Sequence, residues 1–145
     1  MKSLREPDAP ANAFTHSFVV EESDIDELGH ASNIRWVAWV NAAAVQHSAS
    51  LGLDLETYRE MKLVWVVRRH EVDYLGPAFA GEQLIATTWI ESVRAATSVR
   101  KTLIHRKRDD KLLARAATTW VLLSLPEGKP TRIPKELAAR YGIEK

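Results

Sequence analysis

The sequence contains no cysteine, which excludes disulfides, thiolate metal ligands and a cysteine nucleophile and leaves the redox compartment open. Long apolar runs are missing too. No stretch approaches about 18 residues without a charge, and the opening MKSLREPDAPANAF lacks the apolar core of a secretory signal. A soluble cytoplasmic protein with no membrane partner is the expectation. Neither sign of charge dominates. Twenty Lys and Arg stand against nineteen Asp and Glu, with no basic tail or acidic block, so no nucleic-acid partner is expected, because phosphate binding needs a strongly cationic surface. Gly-x-Ser-x-Gly is absent, and His16, His47, His70 and His105 are scattered without metal-site spacing. Repeats and low-complexity segments are lacking as well.

What remains is an ordinary globular composition, 46% hydrophobic over 145 residues, enough for one core. Residues 1–12 carry Pro7, Pro10 and several charges without periodicity, and read as a flexible arm before a single domain over 13–145. AFTHSFVVEE, 13–22, favours an extended strand. SDIDELGHASN, 23–33, has the composition of a loop that ends in two helix-capping residues. A helix is predicted from Ser32 or Asn33 to Gly52, and its apolar residues cover most of the circumference, which describes a helix enclosed by other structure. A short helix over 54–61 follows, and every later segment reads as strand: 62–75, 82–93, 98–108 and 112–125. In the third of these, Val99, Leu103 and His105 alternate with Ser98, Arg100 and Thr102.

Strand, long apolar helix, then strands in hairpin succession predict an α+β domain whose curved antiparallel sheet wraps one central helix. One helix covers one face of such a sheet. A homodimer or homotetramer is therefore expected to shield the rest.

Asp24, Asp26, Glu27, His30 and Asn33 form the densest polar cluster, immediately before the buried helix. Backbone N–H groups in the first turn of a helix lack intrahelical acceptors and sit at the positive end of its dipole, where an oxyanion can be held. An aspartate upstream could serve as base or nucleophile. The same residues also occur in plain loops as caps and turns, and both readings stand on spacing alone.

SDIDELGHASN resembles the motif that opens the central helix in the 4-hydroxybenzoyl-CoA thioesterase-like branch of the hotdog superfamily: Asp, two variable residues, Gly-His, a small apolar residue and two Asn. Asp26, Gly29, His30 and Asn33 match, while Ala31 and Ser32 replace the usual Val and Asn. LVWVVRRHEVDYLGPAFAGEQL and ARAATTWVLLSLPEGKPTRIPKEL are similar to later segments of that family. The series LVWVV, SVRKTLIHR and ARAATTWVLL is also similar to plant and bacterial acyl-ACP thioesterases. The likeness spans about residues 13–138 and implies a hotdog fold and an acyl thioesterase acting on a coenzyme A or acyl-carrier-protein ester.

That resemblance implies Asp26 as the catalytic carboxylate, N–H groups around Ser32 and Asn33 as oxyanion donors, and His30 as a residue that orients the loop or borders the site. It also implies a pantetheine channel along Arg94, Thr97, Ser98, Val99 and Arg100 at a subunit interface. Trp36, Val37, Val40 and Trp65 could shape an acyl pocket or simply form core. No cofactor is implied, since coenzyme A or phosphopantetheine arrives as part of the substrate. A non-catalytic acyl-thioester binding module and a hotdog hydratase or dehydratase are the competing readings.

Overall fold

The protein is described here from a computed structural model over residues 9–143. Of the expected arm, residues 1–8 lie outside the described residues. The elements run β1 (Phe14–Val19), α1 (Asn33–Ser50), α2 (Leu55–Met61), β2 (Leu63–Tyr74), β3 (Gln83–Arg94), β4 (Thr97–Arg106), β5 (Lys111–Ser124), β6 (Lys129–Pro130) and α3 (Lys135–Arg140). They form the curved antiparallel sheet and central helix of a hotdog fold.

The strand order is β1-β3-β4-β5-β2, with the short β6 added to β5. Only β3, β4 and β5 follow one another as hairpins. β2 pairs with β5 rather than with its successor β3, because α1 crosses the concave face and delivers the chain to the opposite edge of the sheet. The 75–82 loop then returns it to β3, beside β1. β1 and β2 are consequently the two edges.

α1 begins where Ser32 accepts the Ile34 N–H at 3.2 Å as N-cap. It buries Trp36, Trp39, Val40, Ala43, Ala44 and His47, a stripe at three- and four-residue spacing that faces the sheet. Enclosure on all sides, expected from the composition, does not occur within one chain. Ile34 is 71% exposed and Val45 62% exposed, because the sheet covers only one face of the helix.

Along β4 it is the more polar series that faces inward. Ser98, Arg100, Thr102, Ile104 and Arg106 are buried, while Thr97, Val99, Lys101, Leu103 and His105 lie half-exposed on the outer face. Against this inner face two apolar cores form. One gathers Trp36, Trp39, Leu84, Ile104 and Leu113 under the first half of α1, and the other gathers Leu53, Tyr58, Leu122, Leu137 and Tyr141 beneath α2 and α3. The helix α3 lies beyond the last element predicted from sequence, the strand over 112–125. At six residues after Pro134, it is too short to show a helical period. No helix among the described residues is long and apolar enough to cross a membrane.

Candidate active site

The loop ahead of α1 is a miniature hairpin. Ile25 and Ala31 form an antiparallel bridge, the Asp26 N–H donates to the His30 carbonyl at 3.0 Å, and the Gly29 N–H donates to the Asp26 carbonyl at 3.0 Å. Gly29 takes φ = 91° to close the turn, a backbone region that side chains with a Cβ rarely adopt. Asp26 Oδ1 accepts the Leu28 N–H at 2.8 Å. The turn and the half-exposed carboxylate are thus one device: the hydrogen bond fixes the carboxylate on the loop that leads into α1.

Two further anchors hold this loop. Asp24 is 6% exposed, pairs with Arg35 Nε at 2.7 Å and accepts the Glu21 N–H at 2.8 Å. Ala31 donates its N–H to the Ala78 carbonyl at 2.9 Å, tying the hairpin to the 75–82 loop. His30 lies edge-on to Phe79 at 6.4 Å between ring centroids, with Nδ1 3.4 Å from the Ala31 carbonyl. Its ring borders the loop without a hydrogen bond to the Asp26 carboxylate.

The expected oxyanion donors separate here. The Ser32 N–H is already donated to the Asp24 carbonyl at 3.0 Å, and the Ile34 N–H goes to the Ser32 hydroxyl. The Asn33 N–H has no hydrogen-bond partner among the described residues. Its carbonyl accepts the Tyr74 hydroxyl at 3.3 Å.

An apolar cavity of about 230 Å³ lies elsewhere, under the C-terminal half of α1. On α1 its lining starts at Ala44, eleven residues after Asn33, or about 17 Å along the axis. Trp65, Ser98 and Arg100 line it, as do Tyr58, Trp120 and Tyr141. Thr97 and Val99 alternate onto the outer face of the sheet, so the proposed run 97–100 does not line one surface. Arg94 is exposed at the β3–β4 turn, where its carbonyl accepts the Thr97 hydroxyl at 2.9 Å. Trp36 and Val40 belong to the core, and Val37 is half-buried on α1.

Sequence reasoning passed over the polar network at this cavity. Arg100, 4% exposed, donates from Nη1 to His47 Nδ1 and to Thr88 Oγ1, both at 3.0 Å. Arginine has no acceptor, so His47 accepts through a bare Nδ1 and is neutral. Burial first, then Arg100, hold its pKa down at about 4. Phe14 stacks on its ring at 5.2 Å. Nearby, the Tyr141 hydroxyl lies 2.6 Å from the Ser48 hydroxyl and 2.7 Å from that of Tyr58, and burial followed by the neighbouring Tyr141 raises the Tyr58 pKa. The one available signal was Arg100 falling in phase with Ile104 on an alternating strand. Tyr58 and Tyr141 come from two short helices distant in sequence and carried no such signal.

Comparison with known proteins agrees with this architecture. The family model for the acyl-ACP thioesterase N-terminal domain matches residues 11–141. The acyl-CoA thioesterase YbgC of Haemophilus influenzae is 24% identical over 131 residues, covering 90% of this chain and 95% of that protein. A 1,4-dihydroxy-2-naphthoyl-CoA thioesterase from Synechocystis superposes with a TM-score of 0.83 at 23% identity, over 90% of this chain and 96% of that one. An acyl-ACP thioesterase from Bacteroides thetaiotaomicron gives a TM-score of 0.77 at 23% identity, over 83% of this chain and 49% of the other.

Proposed function

Since the chain belongs to the acyl-ACP thioesterase N-terminal-domain family and is a thioester hydrolase, we propose that it cleaves an acyl-CoA or acyl-carrier-protein ester with Asp26 as its reacting carboxylate. The observation that carries this is a fixed Asp26 carboxylate on the loop leading into α1, followed by an Asn33 N–H with no partner among the described residues at the positive end of that 18-residue helix. The thioester oxygen sits on the Asn33 N–H. Asp26 takes a proton from water as the water oxygen bonds to the carbonyl carbon and the oxyanion gathers at the helix end; the oxyanion then collapses, the C–S bond breaks, and the leaving sulfur takes the proton back from Asp26, releasing thiol and free acid. Direct attack by Asp26 gives a mixed anhydride that water then hydrolyses to the same products. His30 positions the loop through Phe79 and does no proton transfer of its own. Asp26→Asn should lower kcat by about 10²- to 10⁴-fold with an unchanged melting curve. Full activity in that variant would remove Asp26 from the chemistry.

The acyl group occupies the apolar cavity, and a second copy of the chain brings it within reach. In one chain the cavity and Asp26 lie at opposite ends of α1. The edge strand β2 exposes Val66 (39%) and Val67 (37%) next to the charged Arg68, Arg69, Glu71 and Asp73, and α1 exposes Ile34 and Val45; its outer backbone edge is open to a second strand. Antiparallel pairing of two β2 strands about a twofold axis at their middle sets residue 74 of one copy opposite residue 63 of the other. Tyr74 holds Asn33, and Val64 and Trp65 line the cavity. The carboxylate of one copy then serves the cavity of its partner in a homodimer.

A further inference from the structure

Arg100 is a buried cation at an apolar cavity, and among the described residues no carboxylate answers it. Its charged and polar neighbours are His47, Thr88, Tyr58 and Tyr141, with the Tyr141 ring 5.9 Å from its Cζ. His47 is neutral and the tyrosine hydroxyls are spent on Ser48 and on one another. The one acidic residue of the lining, Asp54, is exposed and turned to the Thr57 N–H as the N-cap of α2. Only Nη1 of Arg100 donates to protein; its Nε and Nη2 have no acceptor among the described residues. The indole N–H of Trp120, in the same wall, is likewise buried without one. Burial pulls the Arg100 pKa to about 10, so the group stays charged at neutral pH.

An isolated buried charge is strongly unfavourable unless something pairs with it. Arginine placed where planar donors converge suits an oxyanion. Building on the reading that the cavity takes the acyl group, we infer that the preferred substrate is an acyl thioester whose far end carries an anionic oxygen, which Arg100 binds. The volume of about 230 Å³ holds on the order of eight non-hydrogen atoms at about 30 Å³ each. A medium-length ω-carboxyacyl chain presents that chemistry.

The test compares suberoyl-CoA with octanoyl-CoA. The anionic suberoyl ester should win in kcat/KM by on the order of 10- to 100-fold, the worth of a charge-assisted hydrogen bond. Arg100→Met should erase that ratio and Arg100→Lys should keep part of it. Octanoyl-CoA turned over equally well or better overturns the inference while leaving the hydrolase intact. Binding is read separately, on the Asp26→Asn protein, by thermal shift with octanoate against 1-octanol. Stabilisation by octanoate alone, abolished by Arg100→Met, supports the anion site even if every ester resists hydrolysis, in which case the thioesterase reading fails by itself. Equal shifts with the two compounds overturn the anion site.

Discussion

His47→Gln should flatten the acid side of the stability curve. In the fold, His47 is neutral, 6% exposed and accepts from Arg100, and its pKa falls from 6.5 to about 4. The unfolded chain therefore binds a proton here that the native chain refuses. Stability from this site is complete above pH 6.5 and is lost as pH falls toward 4. At pH 5 the unfolded imidazole is almost fully protonated and the folded one hardly so, a difference of about 2 kcal/mol, rising to about 3 kcal/mol below pH 4. Glutamine does not titrate, and its side-chain oxygen can still take the Arg100 hydrogen bond. The assay is urea unfolding at pH 7.5 and pH 5 at one fixed protein concentration, since a dimer's stability depends on concentration. The wild type should lose about 2 kcal/mol more than His47→Gln between those pH values. Equal losses would show that His47 titrates normally and that the Arg100 network is misassigned.

Ser32→Ala removes the hydroxyl that caps α1 and should cost about 1 kcal/mol of stability by urea unfolding, with a fall in kcat as the Asn33 N–H loses its orientation. Val67→Lys places a charge on the exposed edge of β2. If the proposed β2–β2 dimer forms, this variant should run as a monomer by light scattering where the wild type runs as a dimer, and should lose hydrolysis, while changing monomer stability by no more than about 0.5 kcal/mol.

The parts of this fold that were legible in sequence are those set by short-range signals. Ser32 and Gly52 bracket α1, and the strand limits fall within a few residues of the Pro, Gly and Asp-Asp breaks, because capping and turn chemistry are local. The loop character of the stretch around Asp26 was legible as well, since its turn needs only Gly29 and neighbouring amides. Strand adjacency was not. Hairpin succession held for β3 to β5 and failed for β2, whose partner is decided by the crossing of α1 and not by its own residues. The donor set of the helix end was half visible: nothing in Ser32 itself says that its N–H goes to Asp24. The cavity was hidden most completely, because its polar wall joins residues 48, 58, 100 and 141 from α1, α2, β4 and the end of α3.

The central claim is that Asp26 of one copy acts on an acyl group held in the cavity of the other, and a mixing experiment tests it directly. Asp26→Asn keeps the cavity and loses the carboxylate; Ala49→Trp, on the exposed helix face at the cavity mouth, keeps the carboxylate and blocks the cavity. Each variant alone should be inactive. After unfolding and refolding together in equal amounts, half the dimers are mixed and each mixed dimer rebuilds one of its two sites, so about a quarter of wild-type activity should return. A mixture as inactive as its components would place carboxylate and cavity in the same chain and contradict the account.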